Sequence, residues 1–313
     1  MNVATGLPFD LPSPSAEGVI PAWTGTEFQL GEKRARVLAF ETGASGWTDD
    51  LTLLHENTTG ADHFIDLASR RHALAELNRN VIVPHPVILE VGCSSGYLLR
   101  DMIDSFPRAE VIGSDYVAGP LEALGERLPN VPLLQFDLTR CPLPDGSIDA
   151  VVALNVLEHI ERDDLALAQL YRILKPGGIL IVEVPAGPDL FDSFDAHLMH
   201  HRRYAMAALQ MMTRAAGFQT VARSHLGCLI YPAFWLTKKW ARLRDRHRAP
   251  PSPGERQVAV ARQIKTSNFL GGFLTILMEV EDWLRQRLYL PVGIRCLVTC
   301  QKVPGDQSRN YQN

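Results

Sequence analysis

Over the first 30 residues apolar positions recur without period among several Pro and Gly, and the stretch reads as a loosely structured arm. From about Ala61 to Asn80 the pattern becomes helical. Phe64, Leu67, Ala68, Leu74 and Leu77 recur near a spacing of three to four, with Arg70 and Arg71 between them, which predicts a helix packed as a cap on the core that begins at Val81. At Val81 the pattern changes again, and short aliphatic runs alternate with helical stretches. The predicted strands are Val87–Val91, Glu110–Ser114, Pro132–Phe136, Ile148–Leu154 and Ile179–Val184, each nearly continuous in apolar residues, as strands covered on both faces are. Strands alternating with helices predict an α/β fold with a doubly wound, mostly parallel sheet. One helix between them is well marked: Leu167, Leu170, Tyr171 and Leu174 share a face, and Pro176-Gly177-Gly178 stops it.

Beyond Pro185 lies a His- and Arg-rich stretch, then a helical Ala207–Ala216 and a strand over Gln219–His225. The partner expected for that strand is Ile294–Cys300, so the long segment between is an insertion with its own structure. The chain therefore divides into an N-terminal arm and helical cap (1–80), a core (81–225), a helical insertion or lid (226–290), a last strand (291–303) and a disordered tail (304–313). No internal repeat is present.

Candidate chemistry concentrates where the first core strand ends. Val87–Val91 runs into Glu90-x-Gly92-x-x-x-Gly96, and a helix comes next. Glycines at a strand-to-helix turn let a ligand approach the backbone, and the helix start offers free N–H donors. A dinucleotide fingerprint needs glycines at 92, 94 and 97, but Ser94 and Tyr97 occupy two of these places, so a pyrophosphate cradle is poorly supported. Asp115 lies at the end of the second strand, where a carboxylate accepts ribose hydroxyls. Asp137, Leu138 and Asn155 come after the third and fourth strands.

With these residues in view, the chain resembles class I S-adenosylmethionine-dependent methyltransferases. The motifs are Glu90-Val-Gly-Cys-Ser-Ser-Gly96, Gly113-Ser-Asp115, the run from Phe136 to His159, and Leu174-Lys-Pro-Gly-Gly178. The similarity covers roughly Val81 to Phe218 and rests on four motifs in order. It implies a Rossmann-like seven-stranded sheet with S-adenosyl-L-methionine as cofactor. It assigns Gly92, Gly96 and the intervening backbone of Cys93 and Ser94 to the methionine part, with Glu90 supporting the loop. Asp115 falls to the ribose, Tyr116 to an adenine face, Asp137 and Leu138 to the adenine edge, and Asn155 to the neighbourhood of the methionyl amine. Ser94 departs from the family, where many members have Gly. His197-Leu-Met-His-His-Arg-Arg-Tyr204 is similar to the HxRRY segment of bacterial methyltransferases that accompany glycan or lipid assembly.

A sulfonium carries an activated methyl, so a base is needed only where the acceptor must lose a proton. His159, His200 and His201, with His197 beside them, are the candidates. Glu158-His159 also suggests part of a divalent-metal site, by likeness to quinone-ring methyltransferases. Two adjacent ligands are too few to define one, a helix start hydrogen-bonded to its own loop is the preferred reading, and no metal is expected. Arg202 and Arg203, with Tyr204, would clamp an anionic acceptor, or else pair with Asp189, Asp192 or Asp195. The acceptor expected is a small molecule, a glycan or a lipid-linked intermediate, with oxygen as the expected site of methylation.

Composition and charge narrow the partners. Of 313 residues, 46% are hydrophobic and 21% charged, enough to bury a sizeable core. Thirty-one Lys plus Arg against 35 Asp plus Glu give a net charge of -4, which offers no field for nucleic acid. Five scattered cysteines without CxxC spacing fit a reduced, cytoplasmic setting. No apolar run approaches the roughly 20 residues that span a bilayer. In the insertion, Leu226 to Leu236 is followed by Lys238, Lys239, Arg242, Arg244, Arg246 and Arg248. Packing as an inserted lid is the preferred reading, and peripheral contact with the inner membrane face the alternative. Two competing functions share these features: a nicotinamide-dependent oxidoreductase, and a non-catalytic cofactor-binding or membrane-associated module.

Overall fold

The computed structural model describes residues 6–14, 18–40, 63–245 and 268–303. The predicted tail, Arg246 and Arg248 of the basic run, and most of the charged middle of the insertion lie outside them.

Three short strands, β1 (Ala22–Trp23), β2 (Phe28–Leu30) and β3 (Lys33–Ala35), form a small antiparallel sheet. The next, β4 (Val37–Ala39), pairs parallel with β7 (Leu133–Gln135) at the edge of the main sheet. Among the described residues of the arm, short strands form where the sequence suggested loose chain. Leu11, Trp23, Phe28 and Leu38 are buried in the main core, and burying a side chain of that size contributes roughly 1.5–3 kcal/mol. Arg36 fastens the junction, donating to the carbonyls of Gly125, Leu128 and Val131 beneath the Trp23 ring.

The cap helix α1 (Phe64–Asn80) packs Ala73 and Leu77 into the core on one face of the sheet. Then come β5 (Val87–Val91), α2 (Tyr97–Ser105), β6 (Glu110–Asp115), α3 (Ala118–Arg127), β7, β8 (Ile148–Leu154), α4 (Asp163–Ile173) and β9 (Leu174–Pro185). After them lie α5 (Ser193–His197), α6 (Met206–Ala215), β10 (Phe218–Leu226), the insertion helices α7 (Tyr231–Asp245) and α8 (Asn268–Arg285), and β11 (Arg295–Lys302).

The main sheet has eight strands in the order β10-β11-β9-β8-β5-β6-β7-β4. Seven are those the sequence implied, and the arm supplies the eighth. Strands β4 to β9 run parallel, while β11 is antiparallel to both β9 and β10, as the late pairing across the insertion required. Every side chain of β5 is buried, which a strand covered by helices on both faces demands. From β5 the chain winds outward through β6 and β7, then returns to place β8 on the other side of β5. That reversal opens a crevice at the carboxyl ends of β5 and β8.

Candidate active site

The turn after β5 is held by backbone bonds and by glycine geometry. The amides of Gly92 and Cys93 both donate to the Ser114 carbonyl, at 2.8 and 3.0 Å, and Gly96 N–H donates to the Cys93 carbonyl at 2.7 Å. Gly92 has φ +76°, and a Cβ there would lie 2.6 Å from Val156 Cγ2. Gly96, with φ +75°, precedes the first turn of α2, and a Cβ there would run into Leu124. Ser94, the departure from the family pattern, also takes a left-handed φ of 42°. The turn therefore keeps a shape suited to glycine at a position where a side chain carries a steric cost. Cys93 contributes main chain: its sulfur is buried toward Gly113.

Asp115 closes the turn from the neighbouring strand. Its Oδ2 accepts from Ser94 N–H at 2.9 Å and its Oδ1 from Val117 N–H at 3.1 Å. Each carboxylate oxygen can accept a second bond, as a ribose diol requires. The Tyr116 carbonyl takes a bond from Gln135, which sets its backbone beside the crevice. Asp137 caps the short 3-10 turn Leu138–Arg140 by accepting from Thr139 N–H and Oγ1, and Leu138 is buried. Asn155 follows β8 with φ 55°, its backbone N–H on the Glu183 carbonyl and its Nδ2 3.1 Å from Glu183 Oε1. The other groups on that oxygen are Ser69 of α1 and Arg295 of β11, so the cap helix and the last strand hold the residue expected near the methionyl amine.

These residues fit S-adenosylmethionine. The glycine cradle is space that a Cβ would fill. Glu90 is buried and its Oε2 has no hydrogen-bond partner. Burial, with the charges of Asp115 and Asp101 nearby, pushes its carboxyl well above the usual range. A cation at that oxygen supplies the missing partner and relieves the penalty.

Across the crevice, the turn after β8 meets the HxRRY segment. Glu158 is fully buried, no neighbouring residue donates to either carboxylate oxygen, and burial pushes its pKa up to about 8. The rings of His159 and His200 meet edge to face, centroids 4.7 Å apart. His200 Nδ1 lies 3.2 Å from Asp195 Oδ1; burial lowers its pKa against the pull of that carboxylate. His201 binds through its backbone, donating to the Glu158 carbonyl at 2.7 Å, while its side chain is exposed. Of the candidate bases, the structure brings His159 and His200 together and leaves His201 outside the pair.

The two arginines and the tyrosine of the segment are engaged within the protein. Arg203 is buried, bonds Asp195 Oδ1 at 2.7 Å and donates to the Ala186 carbonyl. Arg202 pairs with Asp163 at 2.9 Å, and Tyr204 Oη donates to the same carboxylate at 2.8 Å. Arg203 thus meets one of the acidic partners expected for it, Asp195, whereas Arg202 pairs with Asp163, which lies outside the expected set of Asp189, Asp192 and Asp195.

Two features lie outside the site residues expected from the sequence. Asp192 and Asp195 form a capping box at the start of α5, and their three-residue spacing is a visible signal for it. Lys238 belongs by sequence to an exposed basic run, yet it is buried. Its Nζ lies 2.7 Å from Asp192 Oδ1 and 2.9 Å from Asp195 Oδ2. Among the described residues no helix is long and apolar enough to cross a membrane.

Comparisons with known proteins agree with this geometry. Residues 89–182 match the family model for a methyltransferase domain. A probable S-adenosylmethionine-dependent methyltransferase of Mycolicibacterium smegmatis is 34% identical over 134 residues, covering 42% of this chain and 51% of that protein. Trans-aconitate 2-methyltransferase of Deinococcus radiodurans is 30% identical over 143 residues, covering 45% of this chain and 51% of that protein. The chain thus spans about half the length of these curated relatives. A solved structure of a putative sarcosine dimethylglycine methyltransferase from Galdieria sulphuraria shares the fold, with a TM-score of 0.56 at 13% identity over 82% of this chain and 99% of that one. The segment from residue 89 to 182, with the crevice it lines, is a class I S-adenosylmethionine-dependent methyltransferase domain.

Proposed function

We propose that the protein transfers a methyl group from S-adenosylmethionine to an oxygen of a small-molecule, glycan or lipid-linked acceptor. When bound, the cofactor supplies a sulfonium-activated methyl. Gly92 to Gly96 admit its methionine part against the backbone, Glu90 and Asn155 receive the amine, and Asp115 accepts the ribose hydroxyls. Tyr116, Asp137 and Leu138 border the adenine. What the chain adds is position: a nucleophile held in line at about 3 Å in a site closed to water gains most of the available acceleration.

The observation that carries the reading is the pairing of His159 with His200 at the carboxyl end of β8, beside Val156, which touches the cofactor turn. Asp195 fixes the His200 ring through Nδ1, so the other ring nitrogen is the one left to take a proton from an acceptor hydroxyl. The insertion helices α7 and α8 lie where acceptor selection is expected. They expose Trp240 (75%), Leu236 (62%) and Phe273 (61%), and Lys239 sits over the Trp235 ring at 5.6 Å. Such a face suits an acceptor delivered from an anionic membrane surface.

Calorimetric titration with S-adenosylmethionine, S-adenosylhomocysteine and NAD tests the cofactor side. Micromolar binding of the first two alone is expected, and protection by NAD alone would replace this reading with the oxidoreductase. Transfer of labelled methyl to small acids, sugars and lipid-linked glycans then tests the acceptor class.

A further inference from the structure

We infer that Glu158, His159 and His200 form a binding site for one borderline divalent transition ion of the Zn2+ class, opposite the cofactor turn. The sequence offers only the adjacent Glu158-His159 pair. Folding adds His200 from 41 residues further on, and the ligating atoms of the three side chains lie within 4.8 Å of one another.

Two independent features point to a cation. Glu158 is fully buried, and no neighbouring residue donates a hydrogen bond to either of its oxygens. Buried carboxylates in folded proteins are paired, bonded or bound to metal, because an uncompensated one costs several kcal/mol. The second feature is the contact of His200 Nδ1 with Asp195 at 3.2 Å. A carboxylate behind an imidazole fixes the tautomer and presents the opposite nitrogen, the usual support of a ligating histidine. Asp195 is itself anchored by Arg203 and Lys238, so the ring it orients is tied to helices α5 and α7 and to the segment between α5 and α6.

The donor set selects the ion. Two imidazoles and one carboxylate suit Zn2+, Mn2+, Co2+ or Fe2+, whereas Mg2+ and Ca2+ prefer oxygen ligands throughout. At metal–ligand distances near 2.0–2.2 Å, tetrahedral donors stand about 3.4 Å apart, so each side chain closes by about 1 Å or less to meet a shared ion. Three protein ligands leave a position for an acceptor oxygen. With an ion present, the imidazoles serve as ligands and the acidity of the coordinated hydroxyl replaces their proton-accepting role. That role, but not the binding, rests on the methyl-transfer reading above.

The test uses the full chain stripped with a chelator and titrated calorimetrically with Zn2+, Mn2+ and Mg2+, with Co2+ absorption as the spectroscopic probe. One equivalent of Zn2+ is expected at micromolar or tighter affinity, with Mg2+ at least 100-fold weaker. Glu158→Gln and His200→Gln should each weaken Zn2+ at least 100-fold while S-adenosylmethionine affinity stays within about threefold. Thermal melting of each variant checks that it is folded. His159→Gln supplies a second route should either variant fail that check. Undiminished Zn2+ binding in folded variants, or no Zn2+ binding by the native chain, would overturn the site. Because cofactor affinity is read separately, loss of the metal reading leaves the methyltransferase reading standing, and the reverse holds too.

Discussion

Lys238 of the insertion meets Asp195 of the HxRRY region in the interior, Nζ to Oδ2 at 2.9 Å, while Asp195 Oδ1 holds His200 and Arg203. One carboxylate therefore joins the first insertion helix to the imidazole beside the cofactor crevice. Breaking a buried pair by removing one partner leaves an uncompensated charge, which costs roughly 3–5 kcal/mol. Lys238→Met is expected to lower the stability of the folded chain by about that amount. Urea unfolding measures it, and a loss below about 1 kcal/mol would show that Lys238 does not carry the pair.

The cofactor turn gives a sharper contrast. Gly92→Ala places a methyl in a left-handed residue, 2.6 Å from Val156, and Gly96→Ala drives one into Leu124. Each should weaken S-adenosylmethionine at least tenfold, because the turn must shift to relieve the overlap. Gly271→Ala is the control: a Cβ there meets nothing within 4 Å, and helical Ala is favoured over Gly. Calorimetry on the three variants decides the matter, and equal affinity in all of them would remove the cradle.

Stability should fall on mild acidification. His72 is buried beside Arg285 and Arg79, and His225 is buried with Nδ1 2.8 Å from the Leu290 carbonyl. Burial lowers both pKa values below the ordinary 6.5, and for His72 the two arginines lower it further. A histidine depressed in the folded state contributes stability fully present above its unfolded pKa and lost as pH falls toward its folded pKa. Between pH 7 and pH 5 each adds up to about 1.4 kcal/mol per pH unit of slope. Urea midpoints against pH should flatten in the His72→Gln, His225→Gln double variant, and an unchanged slope would assign the acid sensitivity elsewhere.

How much of the fold and the site is legible in the sequence depends on the range of the interactions. Val87–Val91 and Ile148–Leu154 are legible because a strand buried on both faces needs an unbroken apolar run, and Gly92, Gly96 and Asp115 sit at its punctuation. The strands before Ala39 are two or three residues long, too short to show a period, and tertiary burial of Trp23 and Phe28 orders them. Strand β9 begins at Leu174, five residues ahead of the expected Ile179, because Lys175 to Gly178 form an irregularity within the pairing to β8 and not only a helix stop. Lys238 misleads because a charged run reads as solvated until a partner such as Asp195 is known. The meeting of His200 with Glu158 is a contact between distant segments, which spacing along one helix or strand does not encode.

The insertion face bears on where the acceptor comes from. Trp235, Leu236 and Trp240 of α7 and Phe273, Ile276 and Trp283 of α8 are all more than 40% exposed. Arg287 stacks on Trp283 at 4.1 Å, and Lys239 on Trp235. Tryptophan beside a cation is the composition of a membrane interface. Flotation with vesicles containing phosphatidylserine should carry the chain, and Trp235→Ala with Trp240→Ala should reduce that fraction severalfold. Equal flotation of both would return the insertion to the role of a lid.

Asp115 is asked to do two things at once. It already accepts from Ser94 and Val117 amides, and its remaining capacity is assigned to the ribose. Asp115→Ala strands two amides and two hydroxyls, so affinity for S-adenosylmethionine should fall by roughly 1–3 kcal/mol, about 5- to 150-fold. That loss alone does not separate turn support from sugar contact. A 2′-deoxy analogue of S-adenosylhomocysteine does: the native chain should bind it at least fivefold more weakly than the parent compound, whereas the variant, having no carboxylate to disappoint, should bind the two alike. Discrimination that survives in the variant would move the ribose contact to another residue, leaving Asp115 as a brace for the turn.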